Sequence, residues 1–308
     1  MSASITVHNA EQSGLPHLET TPVRFKTILA ATDLSERATS ALKIAARMAK
    51  QFRSTLHVVH AVTPEFYMAD ATMLSSELQK IDVERCQREL HEYTRRIPEV
   101  RATLHEETAI CGAPTDVITS VVEAAGIDLL VMGSHGRGPV GKLVLGSVAE
   151  AVIRRTHCPV LVVGPHCGGR LYPLRSIVLG MDLPAASLRA AQYATSLARQ
   201  FGSTLMVVRV LAQHSRPISG AVEERFAKED LRELAPGDPE LRKHIHFQIR
   251  SGEAAEEILR IAAESKANLI VMGAHEHSTL ADHAPWATLS RVIRGAHCPV
   301  LAVQPHSV

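Results

Sequence analysis

"KTILAATDLSERATSALKIAARMAKQFRSTLHVVHAV", Lys26 to Val62, is written again as "RSIVLGMDLPAASLRAAQYATSLARQFGSTLMVVRVL", Arg175 to Leu211. The offset is 149 throughout, and Asp33 falls on Asp182. Further on, "DLLVMGSH" at Asp128 meets "NLIVMGAH" at Asn268, and "HCPVLVV" at His157 meets "HCPVLAV" at His297. There the offset is 140, so the second copy is nine residues shorter in its middle. A period this long denotes duplicated domains and not a solenoid. The chain divides into a polar tail over 1–22, expected to be disordered, a first domain over 23–166, a linker over 167–172 and a second domain over 173–308. The boundary stretch "HCGGRLYP", His166 to Pro173, carries the Gly and Pro of a connection.

Within each copy, short apolar runs alternate with helical patterns. "KTILAAT" reads as a buried strand. Ala38, Ala41, Leu42, Ala45, Met48, Ala49 and Phe52 then recur at helical spacing on one apolar face. "STLHVVHAV" is a second strand. A helix is expected from about Ser75 to Arg96, stopped by Pro98. "VRATLHEETAI" alternates as a third strand, and "APTDVITSVVEAAG" is a helix with Gly126 just past its end. "IDLLVMG", "SVAEAVIRRTH" and "CPVLVVG" complete the domain as strand, helix, strand. Strand–helix alternation predicts an α/β fold, with a doubly wound parallel sheet and right-handed crossovers in each copy. Such sheets bind ligands beyond the carboxyl ends of their strands, where the strand order reverses.

Composition narrows the function classes. Lys and Arg number 33 against 32 Asp and Glu, a net charge of +1, which argues against nucleic acid and anionic membranes as partners. No apolar run approaches the length of a membrane span, and the N-terminus lacks the pattern of a signal peptide. The five cysteines form no C-x-x-C pair, which predicts free thiols and a reducing cytoplasm. Aromatics make up only 4%, so Ala, Val, Leu and Ile must build the core, as in buried parallel sheets.

The stretch "GSHGRGPVGKLVLGS", Gly133 to Ser147, matches three phosphate-loop patterns. Gly136, Gly141 and Lys142 give most of a Walker A loop, but Leu143 stands where that mechanism needs a Ser or Thr. Gly136, Gly138 and Gly141 give the dinucleotide fingerprint, which belongs after the first strand and here follows the fourth. The third pattern is G-x-x-G, nine residues, G-S, on Gly133, Gly136, Gly146 and Ser147. It fits its context. Gly133 ends a strand, Gly136 allows close backbone approach, and Gly146 and Ser147 open a helix whose free N–H groups suit phosphate. Ser147 either caps that helix or donates to a phosphate oxygen. Asp33, at the end of the first strand, either meets a ligand's hydroxyl or amine groups or caps the following helix.

"ILAATD", "VMGSHG" and "GSVAEAVIRRTHCPVLVV" in this order resemble the universal stress protein family, and the doubling resembles its tandem members. The resemblance covers about Val23 to Val303. It implies a five-stranded parallel sheet of order 3-2-1-4-5 in each domain, and it implies ATP, with Mg²⁺, as the ligand. It implies that Ala31, Thr32 and Asp33 face the adenine and ribose, and that Ala61 offers backbone atoms to adenine. Met132 and Gly133 would lie against the nucleoside. His135, Gly136, Arg137, Gly146, Ser147 and Val148 would surround the triphosphate. Family dimers pair through their last strands, so "CPVLVV" and "CPVLAV" are expected to join inside one chain, covering two apolar edges. A homodimer of whole chains stays open.

The second copy departs from the pattern. Glu276, Trp286 and Ala287 stand where the first has Gly136, Gly146 and Ser147. A carboxylate repels phosphate and an indole fills the backbone route, so ATP is not expected there. His275, His277 and His283 share that loop and form an alternative metal-binding set. Taken together these readings predict an ATP-binding stress or regulatory protein. Its first domain would hold ATP as a switch on the loop from Ser134 to Leu145, and its second would be structural or regulatory. The alternatives are a slow ATPase or an adenylyl- or phosphoryl-transferring enzyme, and a non-nucleotide scaffold for a protein partner. No residue of the first copy stands out as a positioned catalytic base.

Overall fold

The structure is a computed structural model. It describes residues 22–63, 75–135, 145–169, 171–181, 184–211, 239–274 and 284–305. In the first half the elements run β1 (Thr27–Thr32), α1 (Glu36–Phe52), β2 (Thr55–Val62), α2 (Ser75–Arg95), α3 (Pro98–Arg101), β3 (His105–Cys111), α4 (Pro114–Ala124), β4 (Leu129–Gly133), α5 (Ser147–Arg155) and β5 (Val160–Val163). In the second they run β6 (Ser176–Met181), α6 (Pro184–Phe201), β7 (Thr204–Leu211), α7 (Pro239–Arg242), β8 (Ile245–Ser251), α8 (Ala254–Glu264), β9 (Leu269–Gly273), α9 (Ala284–Gly295) and β10 (Val300–Val303). The predicted tail, Pro22 apart, lies outside the described residues.

Each half is a parallel sheet of order 3-2-1-4-5, and the two halves run on as one ten-stranded sheet, β3-β2-β1-β4-β5-β10-β9-β6-β7-β8. The junction is antiparallel and places Leu301 opposite Leu161, with Val300 on Val162 and Ala302 on Val160. The strands are apolar on both faces because helices cover both. One face packs α1 and α6 over Ile28, Leu56, Leu129, Leu161, Ile177 and Leu301. The other packs α4, α5, α8 and α9 over Leu130, Val160, Val162, Ile270 and Val300.

The two copies are fastened by matching bonds. Asp128 Oδ2 accepts the amides of Lys26 and Thr27 at 2.7 and 3.0 Å, tying the start of β1 to that of β4. Asn268 Oδ1 does the same for Arg175 and Ser176 at 2.9 and 3.1 Å. The acceptor oxygen is what the position requires, and charge is dispensable. Gly126 adopts φ +57° just past α4, as a helix-ending glycine does. One boundary differs from the sequence reading. The third strand begins at His105, not at Val100, because Pro98 at a first helical position starts the single turn α3 and draws Val100 and Arg101 into it. In the predicted linker, Leu171 is 2% exposed and packs with the core.

Candidate functional site

The strand order reverses between β1 and β4, and a cavity of about 590 Å³ opens there. This is an ordinary size for a small-molecule site. Its floor is made by the ends of three strands: Ala31, Thr32 and Asp33 from β1, Val59 to Thr63 from β2, and Met132 to His135 from β4. Gly146 to Ala149 bring the start of α5 to one side, and Pro114 and Ile118 of α4 line it beyond. The remaining wall is one stripe of α2, Asp82, Arg85, Cys86 and Glu89, in which Arg85 pairs with Asp82 at 3.0 Å.

Asp33 is placed by a sharp turn. Leu34 follows it at φ +62°, a conformation costly for a bulky residue, and its amide is held by Thr32 Oγ1 at 3.0 Å. The helix cap is Ser35, whose Oγ accepts from the Ala38 amide, so the capping alternative for Asp33 does not apply. Asp33 Oδ1 instead accepts the amide and hydroxyl of Ser35, at 3.1 and 2.6 Å. Its other oxygen, Oδ2, is buried and has no hydrogen-bond partner among the described residues. A buried acceptor left so costs about 1–3 kcal/mol, and more when charged. The cost is offset when something in the cavity donates to it.

Gly146 has an internal reason to be glycine. It is the residue before α5, its amide donates to the Ser134 carbonyl at 2.9 Å, and a Cβ there would meet that oxygen at 2.8 Å. Among the described residues no side chain caps α5, and the first-turn amides of Ser147 and Val148 have no partner within the helix. Ser147, outside the cap position, is exposed beside the cavity. Gly133 differs: an added Cβ would make only ordinary contact, 3.5 Å from the His135 carbonyl. Its openness toward the cavity is what a side chain would remove. Ser134, 2% exposed, is hydrogen-bonded at Oγ to His135 Nδ1 at 2.9 Å. His60 Nδ1 meets the Thr32 carbonyl at 2.9 Å and braces the ends of β1 and β2.

Of the twelve residues assigned to ATP from the sequence, Ala31, Thr32, Asp33, Ala61, Met132, Gly133, His135, Gly146, Ser147 and Val148 line this cavity together. Gly136 and Arg137 lie outside the described residues, as do His275, His277 and His283. Among the described residues no three His, Cys, Asp or Glu side chains are grouped to hold a metal ion. The sequence reading missed the α2 wall. Its signal was present, since 82, 85, 86 and 89 follow the i, i+3, i+4, i+7 rule, but three of the four are charged and read as a solvated face.

At the corresponding corner of the second domain, the helix begins earlier. α9 starts at Ala284, three residues before the counterpart of Ser147, so Trp286 and Ala287 are inside it.

Two matched α/β halves, one with a cavity at its switch point, define a tandem doubly wound protein. The universal stress protein family model matches residues 24–164 and again 173–304, and the chain belongs to that family. A universal stress protein of Methanocaldococcus jannaschii is 34% identical over 143 residues, 45% of this chain and 82% of its own. One of Mycolicibacterium smegmatis is 24% identical over 301 residues, 90% of this chain and 97% of its own. Among solved structures, a universal stress protein of Archaeoglobus fulgidus shares the fold at a TM-score of 0.66, with 20% identity over 94% of this chain and 98% of that one. No helix among the described residues is long and apolar enough to cross a membrane.

Proposed function

We propose that the chain is a stress-response regulator whose first domain binds ATP with Mg²⁺, and whose second domain binds none. The observation that carries this reading is the buried Asp33 Oδ2, without a partner among the described residues, in a cavity that also holds the start of α5, uncapped among those residues. One end of the site is an acceptor for hydroxyl or amine groups. The other is a helix N-terminus, whose partial positive charge and free amides suit phosphate. The apolar floor of Ala31, Val59, Ala61 and Met132 between them suits a base. Gly136 and Arg137 complete the phosphate end in this reading. ATP supplies the charge that Ser147 and Val148 amides hold, and Mg²⁺ offsets part of it.

ATP acts here as a regulatory ligand. A triphosphate would bridge Gly133–His135 and Gly146–Val148, so hydrogen exchange across Gly133–Val148 and the Asp33 turn should slow when ATP is bound. Unchanged exchange at saturation overturns the switch. Multiple turnover at about one per second or faster would place the protein among ordinary enzymes instead. Calorimetry should find one ATP per chain; two equivalent sites overturn the division between the halves. Gly136→Glu, which copies the second domain, should abolish binding. The pairing of the halves through β5 and β10 is, in this reading, the arrangement in solution.

A further inference from the structure

We propose that the second domain is a clamp on α5 that sets the nucleotide affinity of the first domain, with Gln304, Arg189 and Trp286 as its positioning residues. The inference rests on the ATP reading of the cavity. α5 spans nine residues, about 13 Å of helix. Its first residues line the cavity. Its far end pairs with its own domain through Arg155 and Asp116 at 2.8 Å, and is gripped from the other domain at three further points. Gln304 Nε2 donates to the Ile153 carbonyl at 2.8 Å in a buried setting. Arg189 Nη1 donates to the His157 carbonyl, two residues beyond the helix, at 3.1 Å, and to the carbonyl of Gln304 at 3.0 Å. The Arg154 guanidinium lies 4.3 Å from the centre of the Trp286 ring. A cation near the carbonyl end of a helix also complements its dipole.

The three grips run in one direction only. Under the repeat, Gln304 corresponds to Gly164, Trp286 to Gly146 and Arg189 to Ser40. None of these can return the contact to α9. Gly164 lies so close to the Ile293 carbonyl, the mirror of Ile153, that a Cβ there would collide with it. Trp286, which stands where the first copy has Gly146, therefore supplies a contact to the first domain's helix. A side chain lost to ligand binding in one half serves ligand binding in the other. A short helix fixed at both ends transmits displacement as a rigid element, so phosphate at Ser147 and the clamp at Ile153 bias the same body. By linkage the coupling is reciprocal: what ATP does to the clamp, the clamp does to ATP.

The test uses the full chain and its single tryptophan. Trp286 does not line the cavity, so its emission reports the clamp and not contact with ligand. ATP is titrated while heat and Trp286 emission are followed in the same sample. Emission should change with the midpoint of the heat. Gln304→Ala and Trp286→Ala should each weaken ATP by about five-fold or more, the lower range of ordinary coupling. Trp286→Phe, which keeps an aromatic face, should restore most of the affinity lost in Trp286→Ala and controls for folding. Heat with unchanged emission, together with wild-type affinity in Gln304→Ala and Trp286→Ala, overturns the clamp and leaves the ATP reading standing. No heat from ATP in the wild-type chain overturns both.

Discussion

Gly146 and Trp286 occupy the same place in the repeat and begin their helices differently. At Gly146 the chain passes against the Ser134 carbonyl, too close for a Cβ, and α5 starts one residue later with its amides beside a cavity. At Trp286 the helix is already under way, from Ala284, and Ala287 lies where a helix's own ladder takes up the amides. The sheets beneath are alike, down to the Asp128 and Asn268 staples. The two corners thus differ in where one helix begins, and Gly146 stands at that point in the first. The sheet is indifferent to which of the two outcomes it carries.

The largest effects are expected where the halves match. Leu161 and Leu301 face each other at the sheet junction and are 1% and 2% exposed. Leu161→Asp or Leu301→Asp buries an unpaired carboxylate and should cost roughly 4 kcal/mol or more in denaturant unfolding. The two losses should be similar; a large inequality would break the equivalence of the halves at this point. The corners should respond unequally. Gly146→Trp should remove detectable ATP binding in calorimetry, because the side chain meets the Ser134 carbonyl and fills the approach to α5. Trp286→Gly should create no second site, since Glu276 and Ala287 remain. A second equivalent of bound ATP in that variant would reduce the difference between the corners to one residue.

Asp33→Asn keeps an acceptor for Ser35 and removes the charge. It should weaken ATP about tenfold, the worth of a hydrogen bond to a charged group. Full affinity in Asp33→Asn would mean that the buried Oδ2 does not meet the ligand. The smallest effect again compares matched residues. Burial pushes the Cys158 thiol up to about 11 and its counterpart Cys298 up to about 12, against an ordinary 9.0. Both stay neutral in the fold, whereas the unfolded chain releases their protons first. Their contribution is therefore full below pH 9 and is lost as pH rises through 11 to 12. Replacing both by Ala should flatten the fall in stability over that window, and an unchanged slope would exclude the two thiols as its cause.

Much of this was legible because the sequence states it twice. Comparing Lys26–Val62 with Arg175–Leu211 fixes the period and the apolar runs mark the strands, while the sheet order came with the family resemblance. Asp33, Gly133, Gly146 and Ser147 were legible from their places at strand and helix ends, whereas Ala31, Thr32, Ala61, Met132, His135 and Val148 came only with the family resemblance. The start of β3 was not legible, because "VRATLHEETAI" alternates from its first residue and only the turn after Pro98 removes Val100 and Arg101. Nor was the α2 wall, where charged side chains at helical spacing read equally well as solvent-facing. The grip on α5 was hidden for a different reason. Gln304 and Ile153 are 151 residues apart, and no local pattern announces a bond across that distance.

The sheet junction also sets an order of events at the ribosome. β5 emerges long before β10, with the repeat offset of 140 residues still to be made. At ordinary rates of synthesis that interval is about 7–28 s. During it the first domain has its helices and its own five strands, but the Val160–Val163 edge has no neighbour. Two nascent chains on one message therefore offer each other the same edge, and premature pairing between them competes with closure inside each chain. Gly164 has no side-chain amide to lend to such a mistaken pair, whereas Gln304 rewards the intended one when it arrives. The correct partner is thus distinguished by a bond that only the completed chain can form.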